Sequence, residues 1–321
     1  MDQKYAIPTM EEKNMTQAAA NPIATTCVNA NNTADPAQEA MIQATIAEIS
    51  HIATLPEITL KIIRIVEDPE SSAQDLNKVI TNDPALGARI LKVVNSAFYG
   101  LPGQIGSINR AIVLLGLNAV KNIAIAASLA KLFRGGQICP QFNAKDLWQH
   151  SVAVATMTQL LAKEVGLGLP DEAFLAGLIH DIGIMVEMQA RRAKLVEAFE
   201  KHAANPEQSF SEIERQVLGA THEQFGAALC KHWKFPASFG YVTGFHHRPL
   251  ELAAPNRTLT ALVHVADVLS KKQAIGYITD IDHNEPLEQI LKDMSITPER
   301  IERVLAALPG AMEEASALIQ G

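Results

Sequence analysis

The sequence is short of aromatic residues, cysteine and positive charge. Phe, Trp and Tyr make up only 5% of its 321 residues. That scarcity disfavours a β-sandwich, whose strands draw on aromatic and β-branched side chains. Cys27, Cys139 and Cys230 are widely spaced and odd in number, which leaves no CxxC pair and no disulfide framework. A reducing cytoplasm is the simplest setting. Lys and Arg total 27 against 35 Asp and Glu, a net charge of −8. Direct nucleic-acid binding needs the opposite sign to displace counterions from phosphates, so none is expected. No apolar run is long and unbroken. Residues 111–130 come nearest, but Asn118, Lys121 and Asn122 interrupt them. They read as buried helices, and no membrane partner is expected. Residues 1–14 are peppered with charge and show no signal-peptide core.

Helical patterning dominates what is present. Residues 1–38 are small, polar and aperiodic, and are expected to form a disordered arm. From about residue 40, Ile42, Ile46, Ile49 and Ile52 approximate one helix face. A helix over 57–66 stops before Asp68-Pro69. Ser72 and Asp75 have the spacing of a capping box. Asp83-Pro84 supplies an N-cap with proline at the first helical position, where its missing N–H does no harm. Two further helices are expected near 107–115 and 117–133, with Gly116 between them. Arg134-Gly135-Gly136 through Pro140 is the clearest internal break. Helices follow near 144–165, 171–188, 190–203, 208–219, 221–233, 236–246 and 256–271. Thr297-Pro298 opens another, to about Leu308. The pattern predicts an all-α fold of about 15 helices in two lobes, without sustained strands or repeats.

Ten histidines are present, and several stand next to breakers or carboxylates. They include His150 in DLWQHSVA, His180-Asp181 in AGLIHDIG, His222 in GATHEQFG and His246-His247 in GFHHRP. Asp267 lies in VHVADVL, with His264 one turn before it. Taken singly, each histidine reads as a hydrogen-bonded core residue. His51, His202, His232 and His283 stay in that class, and His264 is ambiguous. Asp181 and Asp267 differ, because a buried unpaired carboxylate is very costly. Imidazole and carboxylate together suit a borderline divalent metal. Gly183 and Pro249 are expected to let the chain turn away after the ligands. Asp146, four residues before His150, reads as a helix N-terminal carboxylate rather than a ligand. Arg248 reads as a surface or ion-pairing residue. Arg191-Arg192 and Lys271-Lys272 read as solvated helix faces. Asn95 to Gly100 reads as a structural lock on the following loop, with Asn95 capping and Phe98 in the core.

The order of these residues resembles a known family. His150, His180-Asp181 and Asp267 match the H…HD…D pattern of the HD phosphohydrolase superfamily. His222, His246 and His247 match the extra ligand positions of its HD-GYP relatives. The segment from Leu55-Pro56 through Asp83-Pro84, Asn95-Ser96 and Phe98-Tyr99 to Arg110-Ala111-Ile112 is similar to the opening of an HDOD domain. The resemblance covers about residues 48–275. It implies an HD-like helical bundle over 39–275, with lobes at 39–135 and 140–275 and a C-terminal helical extension over 276–321. It also implies a bacterial signalling module that acts through protein partners. The seven residues His150, His180, Asp181, His222, His246, His247 and Asp267 would then hold one or two metals, from iron, manganese, nickel or zinc.

Two departures separate the chain from active HD-GYP enzymes. Ile184 stands where they carry lysine, and Arg248-Pro249-Leu250 replaces their GYP loop. Phosphodiester hydrolysis needs positive groups to neutralise developing charge, and Ile184 supplies none. Three readings follow: a regulatory module with a metal site, a metal-dependent phosphohydrolase on a nucleotide or cyclic dinucleotide, or a relic whose histidines only bond one another. The first is preferred, with a nucleotide as a candidate ligand. A charged group other than Arg248 near the cluster would favour the second.

Overall fold

The computed structural model describes residues 35–49, 57–68, 70–96, 99, 101, 103–129, 136–276 and 287–319. The arm over 1–34, His51, Phe98, the break at Arg134-Gly135 and His283 lie outside the described residues. The fold is all-α. Its first part comprises α1 (Pro36–Ile49), α2 (Glu57–Glu67), α3 (Ala73–Thr81), α4 (Pro84–Val94), α5 (Ile108–Leu115) and α6 (Leu117–Leu129). A minimal hairpin of β1 (Gln137–Cys139) and β2 (Phe142–Asn143) leads into α7 (Ala144–Val165). Then come α8 (Pro170–Ile179), α9 (Ile182–Ala190), α10 (Arg192–Ala204), α11 (Phe210–Val217), α12 (His222–His232) and α13 (Ala237–Phe245). The chain ends with α14 (Ala254–Lys272), α15 (Leu287–Asp293) and α16 (Pro298–Ile319).

Local chemistry accounts for many of the boundaries. Ser72 and Asp75 form the capping box of α3, and the Asp83 carboxylate accepts from the Leu86 N–H at 2.9 Å to start α4. Asn95 locks the next loop. Its amide donates to the Ile105 carbonyl at 2.9 Å, and the Ile105 N–H returns a bond to its side-chain oxygen at 2.6 Å. Helices α2 to α6 pack mainly on one another around Ile62, Leu76, Ile80, Leu86 and Ile90, all essentially unexposed. Burying each such side chain contributes roughly 1.5–3 kcal/mol. Helix α7 is the central element of the rest. It touches α8, α14 and α16, and most of its faces are buried.

Several expectations need correction. Residues 36–38, placed in the arm, instead open α1, and the Gln38 amide donates to the Gly219 carbonyl at 2.7 Å. The stretch 171–188 is two helices, because the chain turns at His180-Asp181. Apolar periodicity runs through both helices and hides the turn. Gly183 therefore lies inside α9 and is no turn. It permits close approach, since a Cβ there would overlap the His222 carbonyl. Gly177 does the same for α8, where a Cβ would sit 2.7 Å from the Ala155 Cα of α7. Helix α16 continues through Pro309 to Ile319 rather than ending near Leu308. Helix α15 and the β1–β2 hairpin were not foreseen.

Candidate metal centre

Helix ends deliver most of the cluster. His180 ends α8, Asp181 precedes α9, His222 begins α12, and His246-His247 follow α13. His150 and Asp267 come from the middle of α7 and α14. Gly177 and Gly183, flanking the His180-Asp181 turn, let α8 press on α7 and α9 press on α12. That packing brings His150, His180 and His222 around one carboxylate.

All seven predicted residues meet in one buried region. Asp181 stands at its centre. Its Oδ2 lies 3.1 Å from His180 Nε2 and 3.6 Å from His150 Nε2. Its Oδ1 lies 3.3 Å from His246 Nε2 and 3.8 Å from His222 Nε2. Asp267 Oδ1 is 3.0 Å from His150 Nε2, and His247 Nε2 is 3.2 Å from His222 Nε2. Potential donor atoms of Asp181, His222, His246 and His247 all fall within 4.8 Å of one another, as do those of His150, His180 and Asp181. His247, at 6% exposed, is the most accessible of the seven.

The outer contacts aim the rings inward. His180 Nδ1 donates to the Gly177 carbonyl at 2.8 Å, and His246 Nδ1 to the Val242 carbonyl at 3.2 Å. His222 Nδ1 bonds the Glu214 carboxylate at 2.8 Å. With Nδ1 tied back, each of these rings presents Nε2 to the centre, the arrangement that fixes a metal-ligating tautomer. Asp181 is more telling. It occupies the N-cap position of α9, yet its side chain caps nothing. Both its oxygens, together with His246 Nε2 and Asp267 Oδ1, are buried without a hydrogen-bond partner. Such atoms are costly to bury unless a cation completes them, so the residues fit a divalent metal.

Electrostatics agree. Burial alone would push the Asp181 carboxyl up. His180 and His246 outweigh it and hold Asp181 well below the usual carboxylate range. Burial pulls Asp267 the same way, and Lys271, followed by His150, overcomes it. Burial, reinforced by His247, holds His246 well below the usual imidazole range. His264 is pushed down to about 4 by burial, and its Nδ1 donates to the His246 carbonyl at 2.7 Å. The ambiguous His264 thus positions the His246 backbone.

Two expectations about charge change here. Lys271 is no solvated helix face. It is 8% exposed, and its Nζ lies 2.8 Å from Asp267 Oδ2. Arg191 is tied down as well, donating to Thr45 Oγ1 at 2.9 Å and lying 3.6 Å from Glu48. Arg248 is an ion-pairing residue, with its Nε 3.2 Å from Glu223 Oε2 and its Nη1 3.2 Å from Glu251. Glu214 was missed entirely, because no motif links it to His222 eight positions later. Lys271 had a usable signal, since four residues separate it from Asp267 on one helix.

Comparison with known proteins identifies the family and the fold. The HDOD domain profile matches residues 52–249. The chain belongs to the HDOD domain family. A protein of unassigned function from Treponema pallidum (strain Nichols) is 26% identical over 261 residues, covering 80% of this chain and 48% of its own length. The chain therefore spans about half of that curated relative. A Geobacter sulfurreducens HDOD domain protein of unknown function superposes with TM-score 0.68 at 22% identity, covering 87% of this chain and 98% of its own. A Shewanella amazonensis SB2B protein provisionally named a phosphohydrolase superposes with TM-score 0.67 at 24% identity, over 87% and 98%. Within this HDOD domain, residues 170–190 are the one described stretch apolar and long enough for a membrane span. They are split between α8 and α9, and 83% of the apolar window is buried in the bundle core.

Proposed function

We propose that this HDOD protein is a bacterial cytoplasmic signalling module that works through protein partners and carries a metal centre. His150, His180, Asp181, His222, His246, His247 and Asp267 would hold one or two divalent ions of iron, manganese, nickel or zinc. The buried oxygens of Asp181, which make no hydrogen bond and face four histidine nitrogens, carry this reading. An all-imidazole and carboxylate set suits those metals. The regulatory side rests on family membership and on closure. His150, His180, His222 and His246 are 0% exposed, which favours a resident ion over an entering phosphodiester.

A second reading has its own support. Lys271 brings to the cluster the positive charge that Ile184 lacks. A metal-dependent phosphohydrolase acting on a nucleotide or cyclic dinucleotide would use such a group beside the phosphate. There the metal would supply an activated water and charge neutralisation. Lys271, held against Asp267, would orient that ligand and offset the site's negative charge.

One experiment separates the readings. Metal per chain is measured by mass spectrometry on protein purified without a metal-affinity step, for the parent and Asp181→Ala. The same samples are assayed on cyclic dinucleotides and bis(p-nitrophenyl) phosphate. Near-stoichiometric metal that is lost in the variant, without turnover, is the expected result. Turnover that vanishes in Asp181→Ala moves the assignment to the phosphohydrolase. Absence of metal after anaerobic reconstitution ends the metal-centre reading.

A further inference from the structure

A second buried polar constellation lies apart from the histidine cluster, where α4, α6, α7, α8 and α16 converge. Asn122 reaches it from α6 and Gln159 from α7. They are 6% and 2% exposed. Asn122 Oδ1 has no hydrogen-bond partner, although a buried amide oxygen ordinarily finds one. Both residues line one cavity that is partly open to solvent. Phe174 supplies an aromatic wall. Ala126 of α6 and Ala311 and Ala315 of α16 supply small side chains that leave a slot. Tyr99 closes one edge, its hydroxyl donating to Asp171 Oδ1 at 2.6 Å.

We propose that this cavity binds an uncharged nucleobase, read by the side-chain amides of Asn122 and Gln159. A side-chain amide offers a donor and an acceptor side by side, which is the complement of a base edge. An apolar slot with an aromatic wall suits the flat faces of the ring. The charge of the lining disfavours a phosphorylated ligand. Among the described residues no lysine or arginine lines the cavity and the Asp171 carboxylate does, so a phosphate would meet repulsion. Helix α16 forms one wall and packs on α4, α6 and α7. Occupancy of the slot and docking of α16 are therefore coupled. α16 lies beyond residues 52–249 matched by the family profile, while the other four walls lie within them.

The test uses the full chain. Adenine, hypoxanthine, cytosine and uracil are each titrated by calorimetry, with metal content measured on the same samples. Saturable binding of at least one base, one per chain, with Kd below about 1 mM is expected. Asn122→Leu and Gln159→Leu should each weaken it by about tenfold or more, the loss of roughly one hydrogen bond, with metal content unchanged. Hydrogen exchange on the unsubstituted protein gives a second measurement that needs no variant. The bound base should slow exchange in α6 and α16. The proposal is overturned if none of the four bases binds at about 1 mM, which leaves water filling the slot. It is equally overturned if a base binds without loss in either leucine variant, or without slowed exchange in α16.

Discussion

Lys271 Nζ lies 2.8 Å from Asp267 Oδ2, one helical turn away on α14, and both side chains are buried. The other oxygen of Asp267 faces His150 at 3.0 Å. Lys271 thus holds one oxygen of this carboxylate while the other remains available to the histidine cluster. In Lys271→Met, Asp267 loses that partner. Breaking a buried pair by removing one member costs about 3–5 kcal/mol. Thermal unfolding in chelator should show a clear fall in Tm, and added metal should recover part of it. A variant as stable as the parent in chelator would show that the pair contributes nothing.

Glu214 would act on a bound metal through His222. Its carboxylate takes both the His222 Nδ1 at 2.8 Å and the His222 backbone N–H at 3.2 Å. Glu214→Gln keeps the shape and removes the charge. Loss of such an outer contact weakens metal affinity about 10–100-fold. Competition with a chromogenic chelator measures it, and an unchanged affinity would remove Glu214 from the centre.

Gly183 is required by the approach of α9 to α12, whereas Gly240 in α13 meets nothing within 4 Å of where a Cβ would stand. Gly183→Ala should destabilise the chain by about 1–3 kcal/mol or more through backbone displacement, as overpacked cores do. It should also lower metal content, since His222 moves with the contact. Gly240→Ala should be neutral or stabilising by roughly 0.5–1 kcal/mol. Denaturant titration of the two variants side by side checks the contrast.

Burial pushes the Cys230 thiol up to about 12, against a smaller opposing bond from Thr243. A raised pKa keeps the thiol protonated, and the reactive thiolate appears only as pH rises toward that value. At pH 8 about one thiol in ten thousand is ionised. Peptide-level mass spectrometry after iodoacetamide treatment should find Cys230 unmodified in the native chain and modified in denaturant. Rapid native labelling at pH 8 would contradict the packing around α12 and α13.

The residues of the candidate centre were legible because each stands beside a recognisable break or inside an apolar run. His180-Asp181 interrupts AGLI, and Asp267 interrupts VHVA. What surrounds them was less legible. Periodicity merged α8 and α9, because the turn between them contains neither proline nor glycine. Arg191 and Lys271 looked like ordinary surface charges, since a helix pattern shows spacing but not the neighbour that covers a face. The Asn122 cavity depends on α16 returning from far along the chain, which no local signal announces.

The sequence by itself determined the helices and many of their ends. Caps such as Ser72 and Asp83 act on backbone groups within three residues, so their effect can be read locally. It also determined the donor chemistry, because imidazole and carboxylate are properties of residue type. Only the tertiary structure decided that seven residues from α7 to α14 share one buried centre, that Glu214 and Lys271 pack against it, and that Asn122 and Gln159 line one cavity. Those outcomes depend on which helix faces pack together and which charges are desolvated. Burial and partnership arise from contacts between distant segments, and a linear pattern does not contain them.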